Sequence, residues 1–203
     1  MDRRIQYAIS LLFSHHKEIT TNSNVRNNFT TLPEHLKKHF SLSKEQVATF
    51  ASWETIRFVA EKEPGNITTN AGRQLYEHSA DDAKIVMLNK LQFDAMTPWD
   101  NMRHDFVTHE LALHHMKKFH PKFTYISYGE TDDWAHEKRY DRYVQTLHLV
   151  DKYLKGRKKI IVVNEKNCGS LFPRMSIIRT TLRLLLRQIM VEASLLRIGT
   201  TRR

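Results

Sequence analysis

Asp132 and His136 are the side chains of this sequence best placed to grip an ion, because they stand four residues apart within Ile126 to Tyr143, ISYGETDDWAHEKRYDRY. On a helix that starts near Asp132, positions i and i+4 share a face. One carboxylate oxygen and one imidazole nitrogen can then converge on a metal at about 2.0–2.2 Å. Two donors supply only part of a coordination shell. Asp-x-x-x-His is by itself a weak signal, since Asp is a favoured N-cap and a His one turn later is ordinarily solvated. What precedes the pair gives it a setting. Lys122 to Ser127, KFTYIS, is short, β-branched and aromatic, follows Pro121, and reads as a buried strand ended by Gly129. In an open α/β sheet, ligands bind beyond the carboxyl ends of the strands, where a loop carrying Glu130, Asp132, Asp133 and His136 would lie.

The rest of the central chain alternates in the same style. Thr31 to Phe40 predicts a helix, with Leu32, Leu36 and Phe40 at i, i+4 spacing. Gln46 to Ser52 (QVATFAS) is strand-like, and Trp53 to Ala60 opens another helix. Pro64 to Gly72, PGNITTNAG, reads as a loop by its Pro, Gly and Asn content. Ala80 to Phe93 carries Ile85, Leu88 and Leu91 at helical spacing. Trp99 to Phe119 predicts a longer helix, with Met102, Phe106, Leu113 and Met116 available for one face. Helix follows His136 again, with Tyr143, Leu147, Val150 and Leu154 turned toward the sheet. Strand, helix and strand in alternation predict an α/β fold.

Four strings, ASWE (Ala51 to Glu54), TPWDNMRHD (Thr97 to Asp105), GETDDWAH (Gly129 to His136) and RYDRY (Arg139 to Tyr143), together resemble a sulfatase-like branch of the alkaline phosphatase superfamily. GETDDWAH is the most specific of them, and the resemblance covers roughly Asn28 to Leu154. It implies a three-layer α/β/α sandwich, incomplete here. It also implies two metal ions, commonly zinc, that hydrolyse small-molecule phosphate or sulfate esters or move phosphoryl groups. By that likeness Asp132 and His136 are ligands of one metal of the pair. The residues that would choose phosphate over sulfate are absent or unassigned.

Several family features have no counterpart. Members open with a strand ending in a metal-binding Asp, followed by a Ser or Thr nucleophile that the metals activate. Met1 to Val25 shows no such strand, and Asp2 stands too early to follow one. Thr20, Thr21 and Ser23 sit in what reads as a polar loop, so no nucleophile is assigned. A second metal-binding D-H-G segment and a late His ligand are also missing from the chain as written. A catalytic zinc needs about three protein ligands and an open position. The expectation is therefore an enzymatic lineage without hydrolase activity in this polypeptide.

Charge divides the chain sharply. Residues 1–151 hold 19 Lys and Arg against 20 Asp and Glu, whereas residues 152–203 hold 13 Lys and Arg against Glu165 and Glu192 alone. The whole formal net charge of +10 thus resides in the tail. Three readings compete. The Leu- and Arg-rich run Arg179 to Arg187 fits a basic amphipathic helix for an anionic membrane or a nucleic-acid backbone. It also fits an ordinary helix with a solvated cationic face. The third reading is a coding frame displaced by one base, and the genetic code favours it.

New codons built from the last base of each residue and the first two of the next make the third argument. Across Arg187 to Ala193, Gln188 gives xCA, Ile189 and Met190 give xAT, and Met190 with Val191 must give GGT. Glu192 and Ala193 give xGA and xGC. The displaced frame permits T-D-H-G-R-G, the missing D-H-G segment. Over Ser176 to Leu186 it permits E-Y-Y-K-D-N-T-T-L-I-I-T, a helix end followed by a buried strand, and over Lys166 to Gly169 it permits E-L-W. A frame break between about Lys155 and Cys168 follows as a hypothesis. The chain then divides into residues 1–27, poorly matched, 28–154, a partial α/β domain, and 155–203, a basic tail. A binding protein that uses the tail for nucleic acid or an anionic membrane is the alternative, with nucleic acid the less favoured partner.

Other signals exclude more than they assign. His109-Glu110-Leu-Ala-Leu113 misses the zinc-protease HExxH pattern at its second ligand. His104, His109, His114, His115 and His120 do not share one stripe of the predicted helix, so a solvated face is expected rather than a metal cluster. Arg103, His104 and Asp105 fit the lining of a cleft in the family fold, yet spacing gives them no role. No segment approaches the roughly 20 apolar residues of a membrane span. Arg3, Arg4 and Ala8 to Phe13 only faintly resemble a signal peptide, and cytoplasm and periplasm both stay open. The lone Cys168 excludes an intrachain disulfide framework.

Overall fold

The structure, a computed structural model, describes residues 24–155. Thr20, Thr21, Ser23, Cys168 and the basic tail lie outside them. The described chain is mixed α/β, built on a parallel three-stranded sheet of order β2-β1-β3. The strands are β1 (Val47–Ala51), β2 (Thr68–Ala71) and β3 (Phe123–Ser127). The helices are α1 (Leu32–His39), α2 (Ile56–Val59), α3 (Ala83–Asp94), α4 (Asp105–Phe119), α5 (Glu130–His136) and α6 (Tyr140–Lys155), with a 3-10 turn at Lys44–Gln46.

β1 is the hub. All five of its residues are buried, as a central parallel strand covered on both faces requires. Ala48 and Phe50 face a core with Tyr76, Ile85 and Leu88, and with Val107, Leu111 and Ala112 of α4; Ile126 of β3 packs against it. Ala51 faces the other way, with Ala71 of β2 and Ile56 and Val59 of α2, against which Phe29, Trp53 and Tyr125 pack. The step from β1 to β2 therefore runs through α2 on one face. The opposite step, from β2 across β1 to β3, runs through α3 and α4 on the other. Opposite steps on opposite faces are what right-handed crossovers demand.

Local chemistry fixes the ends of these elements. Thr31 caps α1, its hydroxyl accepting from the Glu34 N–H while the Glu34 carboxylate accepts from the Thr31 N–H. The second Glu34 oxygen accepts from the Lys62 and Glu63 N–H groups and from Asn66 at 3.0–3.1 Å. α1 is thus anchored by a buried carboxylate more than by the expected Leu stripe, and Phe40 is exposed. Burial by itself would raise the Glu34 carboxyl, but its hydrogen bonds hold it lowered. Upstream, Asn27 is buried and bonded to the Phe58 and Val59 carbonyls, and Arg26 reaches the Arg57 and Glu61 carbonyls.

Three expectations are corrected. The loop expected over Pro64 to Gly72 contains β2, whose register sets Thr68 to Ala71 beside Ala48 to Ala51. Two of its polar residues find partners that composition hides: Thr68 donates to the Lys44 carbonyl, and Asn70 donates to the Gln74 carbonyl and accepts from Arg103. The helix expected from Trp99 starts only at Asp105. The preceding stretch is held extended against the chain leaving β1, by a Trp53–Met102 antiparallel bridge and by bonds from Glu54 N–H to Asn101 and from Arg103 N–H to Ser52. Met102 is accordingly buried in a loop, and the face that α4 buries is Val107, Leu111, Ala112, Leu113 and His115. α6 is also rotated from its expected setting. Thr146 is buried, with Tyr143, Val150 and Tyr153 half-buried beside it, while Leu147 and Leu154 are exposed. Tyr153 stacks on His109 of α4 with centroids 4.0 Å apart, which sets that rotation.

Candidate functional site at the carboxyl end of the sheet

β1 ends between β2, which precedes β3 in the chain, and β3, so its carboxyl end is the switch point of the sheet. α5 starts there. Its N-cap Gly129 leaves no room for a side chain, since a Cβ would stand 2.7 Å from the Met102 Sδ. At the end of β2, Gly72 has φ +59°, and a Cβ there would meet Glu54 Cβ at 2.7 Å. These close approaches bring the three strand ends and the Thr97 to His104 loop together.

α5 displays the expected pair. His136 Nε2 lies 3.6 Å from Asp132 Oδ2, one turn apart, and both side chains are about half exposed. Trp134 between them meets Trp99 edge-on, with centroids 4.7 Å apart. Trp53, Trp99 and Trp134, all the tryptophans of the sequence, therefore sit at or just past strand ends or on the elements that meet there.

Behind α5 the polar chemistry is buried. Asp105 and Glu130 are the first residues of α4 and α5, and each caps the other's helix. The Asp105 carboxylate accepts from the Gly129 N–H at 2.9 Å and the Glu130 N–H at 3.2 Å, while the Glu130 carboxylate accepts from the Asp105 N–H at 2.8 Å. Two positive helix ends thus share two carboxylates. His104 Nδ1 adds an ion pair to Glu130 at 2.9 Å. Hydrogen bonding to Glu130 raises the His104 imidazole. Burial opposes ionisation of Glu130, yet His104, the Asp105 N–H and Trp134 hold its carboxyl lowered. Asp105 goes the other way: burial pushes its carboxyl up to about 6 against the hydrogen bonds that favour its charge.

A chain of donors leads from Asp105 to a fully buried arginine. Arg103 Nε donates to Thr108 Oγ1 at 2.8 Å, Thr108 and Ser52 hydroxyls meet at 2.9 Å, and Ser52 donates to Asp105 Oδ1 at 2.5 Å. With Ser52 donating to the carboxylate, Thr108 must donate to Ser52, so every hydroxyl points the same way. The Arg103 Nη groups donate to the Asn70 side chain and carbonyl. Arg103, Ser52, Asp105 and Thr108 all have no exposed surface. Burial lowers the Arg103 guanidinium to about 9, partly offset by Asp105, so it remains a cation at neutral pH.

These positions correct the reading of residues 103–105 as cleft-lining. Arg103 and Asp105 are interior, and only His104 keeps partial access. The histidines of α4 are corrected too, because His109 and His115 are buried rather than solvated. His109 Nδ1 pairs with the Tyr128 hydroxyl at 2.7 Å. His115 Nε2 faces the Glu45 carbonyl at 2.8 Å, which can only accept, so Nε2 carries the proton and Nδ1 accepts from the Tyr76 hydroxyl at 2.8 Å. Desolvation lowers the His115 imidazole to about 4, which keeps it neutral.

Asp132 and His136 bring one carboxylate and one imidazole to the same face of α5. Among the described residues no group of three or more His, Cys, Asp or Glu side chains is placed to hold an ion. The described helices also include none long and apolar enough to cross a membrane. No family model, curated protein or solved structure matches the chain.

Proposed function

We propose that this chain is part of a metal-dependent hydrolase of the alkaline phosphatase superfamily, acting on phosphate or sulfate esters, with Asp132 and His136 forming half of a zinc site. The observation that carries the reading is the placement of this pair, 3.6 Å apart on the helix that leaves β3 at the sheet's switch point. That is where open α/β sheets bind ligands. The small parallel sheet with helices on both faces of β1 is compatible with one portion of a three-layer sandwich. Two ligands leave zinc short of the three that a catalytic site uses, so no reaction step is assigned to this polypeptide. The remaining donors, on this reading, are encoded beyond the frame break.

Zinc titration of the whole chain tests the half-site, with Asp132→Ala/His136→Ala as the control. Binding lost in the double variant supports it, and equal binding in both removes it. Resequencing the gene past Arg203 tests the frame break: an open T-D-H-G-R-G frame supports it, and stops in that frame remove it. The charge of residues 152–203 carries the second reading, a tail that grips a polyanion. DNA binding that weakens steeply with salt and vanishes on deletion of residues 156–203 would favour it.

A further inference from the structure

We propose that Arg73, at the carboxyl end of β2, seats the acidic head of an amphipathic organic anion whose apolar body lies over Leu75, Phe93 and Met96. This seat is independent of the zinc reading, since it uses neither Asp132 nor His136 and needs no metal. Arg73 is a cation without a counter-ion. It is half-buried, and among the described residues its one partner is the Thr97 hydroxyl, reached by Nη2 at 3.3 Å. Nε is buried with no hydrogen-bond partner, and Nη1 makes no bond to the described residues. The Thr97 hydroxyl is itself directed at the Trp99 and Met102 carbonyls, at 2.7 and 2.8 Å, so it accepts from Arg73 without neutralising it.

The buried and half-buried arginines elsewhere among the described residues are satisfied. Arg26 donates to two carbonyls, Arg57 pairs with Glu54 at 2.8 Å, and Arg103 places its Nε and Nη groups on Thr108 and Asn70. The contrast with Arg57 is local. Gly72, just before Arg73, approaches Glu54 so closely that a Cβ would stand 2.7 Å from Glu54 Cβ, yet the Glu54 carboxylate goes to Arg57. A buried N–H left without a partner costs free energy and is rare in folded proteins. The planar fork of a guanidinium fits the paired oxygens of a carboxylate, sulfate or phosphate group. The carboxyl ends of the strands are also where such a sheet takes its ligands.

The turn that carries Arg73 is fixed before any ligand arrives. Gln74 Oε1 accepts from the Ala71 N–H at 2.9 Å, and the Gln74 carbonyl accepts from Asn70 at 3.2 Å and from Gln92 of α3 at 3.3 Å. A seat already held in place loses less freedom on binding. The same bonds bring three residues with exposed apolar side chains to this turn. Leu75 stands on it, Phe93 follows Gln92, and Met96 precedes Thr97; they are 65, 51 and 66% exposed. An acidic ligand with an apolar body covers such side chains, whereas a bare inorganic ion leaves them in water.

Calorimetric titration of the full 203-residue chain with phenylphosphonate, at constant ionic strength, tests the seat. Arg73→Met removes a charge that has no paired ion, so it is expected to unfold at the parent's denaturant concentration while phenylphosphonate affinity falls at least about tenfold. Arg73→Lys keeps the charge without the planar fork and should bind more weakly than the parent. Where Arg73→Met fails to fold, the loss in Arg73→Lys decides. Inorganic phosphate should bind the parent at least about threefold more weakly than phenylphosphonate. Absence of binding by the parent overturns the seat. Equal affinity in parent and variants also overturns it, because the basic tail or another cation then holds the anion, and so does phosphate binding as tight as that of phenylphosphonate. Binding lost in Asp132→Ala/His136→Ala but kept in Arg73→Met overturns it as well, and assigns the anion to α5. Zinc binding by the chain, measured separately, decides the metal reading whichever way the phenylphosphonate experiment falls.

Discussion

Two polar regions share the carboxyl end of the sheet and differ in almost every physical respect. The Arg103, Asp105, Ser52 and Thr108 cluster has no exposed surface and a partner for each charged group. The Asp132 and His136 pair is half exposed, its two heads 3.6 Å apart. Buried ions are tolerated only when paired and hydrogen-bonded, and breaking such a set leaves an uncompensated charge. Exposed ions contribute little to folding and are available to a ligand. Proximity to a switch point therefore does not identify a working residue. In this molecule the interior charges tie α4, α5 and the strand ends together, whereas the Asp132 and His136 pair lies half exposed on α5.

The hardest test of that division is Arg103→Met. It removes the cation but keeps much of the volume, stranding Asp105 and the Asn70 acceptor in the interior. A loss of about 3–5 kcal/mol in urea unfolding is expected. A loss under about 1 kcal/mol would place this cluster with the surface pairs and collapse the contrast.

Asp105→Asn sharpens it through pH. The folded Asp105 carboxyl, at about 6, lies above its ordinary value of 3.8, so its contribution is fully present below pH 3.8 and is lost as pH rises through 6. His115, at about 4 against 6.5, does the reverse: its contribution is present above pH 6.5 and is lost as pH falls through 4. Each is worth at most about 3 kcal/mol, and between pH 4 and 6 they oppose one another. Asp105→Asn should lower stability by about 1–2 kcal/mol at pH 7, because its amide N–H then faces one of the two backbone N–H donors that the carboxylate accepts from. It should also steepen the acid-side loss, because His115 is then unopposed. Stability curves of parent and variant that run parallel from pH 4 to 6 would contradict the buried-titration account.

Gly129→Ala asks whether α5 is tied to the interior cluster. The new Cβ meets the Met102 Sδ at 2.7 Å, and Met102 is itself buried. A cost of about 1–2 kcal/mol is expected from crowding, with weaker zinc binding because the start of α5 shifts. A fully stable variant with unchanged zinc affinity would show that α5 is not held by this contact.

How legible all this was depends on whether local pattern or distant partners decide an element. β1 and β3 were readable as strands because VATFA and FTYIS are short β-formers bounded by turn residues, but β3, expected to be buried, keeps partial exposure at all five residues. α3 was readable because Ile85 and Leu88 fall on one stripe and are both buried. β2 was hidden because Thr68 and Asn70 satisfy themselves on Lys44, Gln74 and Arg103, none of them visible from the composition of the segment. The late start of α4 was hidden for the same reason, since residues 101–103 bond back to the chain after β1. The spacing of Asp132 and His136 was fully local, and the helix delivers it. The interior cluster was not local: its members come from positions 52, 70, 103, 105, 108 and 130, and the only hint was that three of the strings resembling the family, ASWE, TPWDNMRHD and GETDDWAH, hold four of them.

The smallest folding effect should come from Asp132→Ala/His136→Ala. An exposed i, i+4 pair of this kind is worth only about 0.3–0.5 kcal/mol, so the double variant should unfold within about 0.5 kcal/mol of the parent. Its zinc affinity should fall at least about tenfold, since the two donors act on one ion and removing both leaves no convergent set on α5. The two readouts must separate for the contrast to hold. Lost zinc binding with intact stability marks a pair retained for a ligand. Lost stability with intact zinc binding marks a structural pair, and it would move the search for chemistry to the partly accessible His104 and its buried partner Glu130.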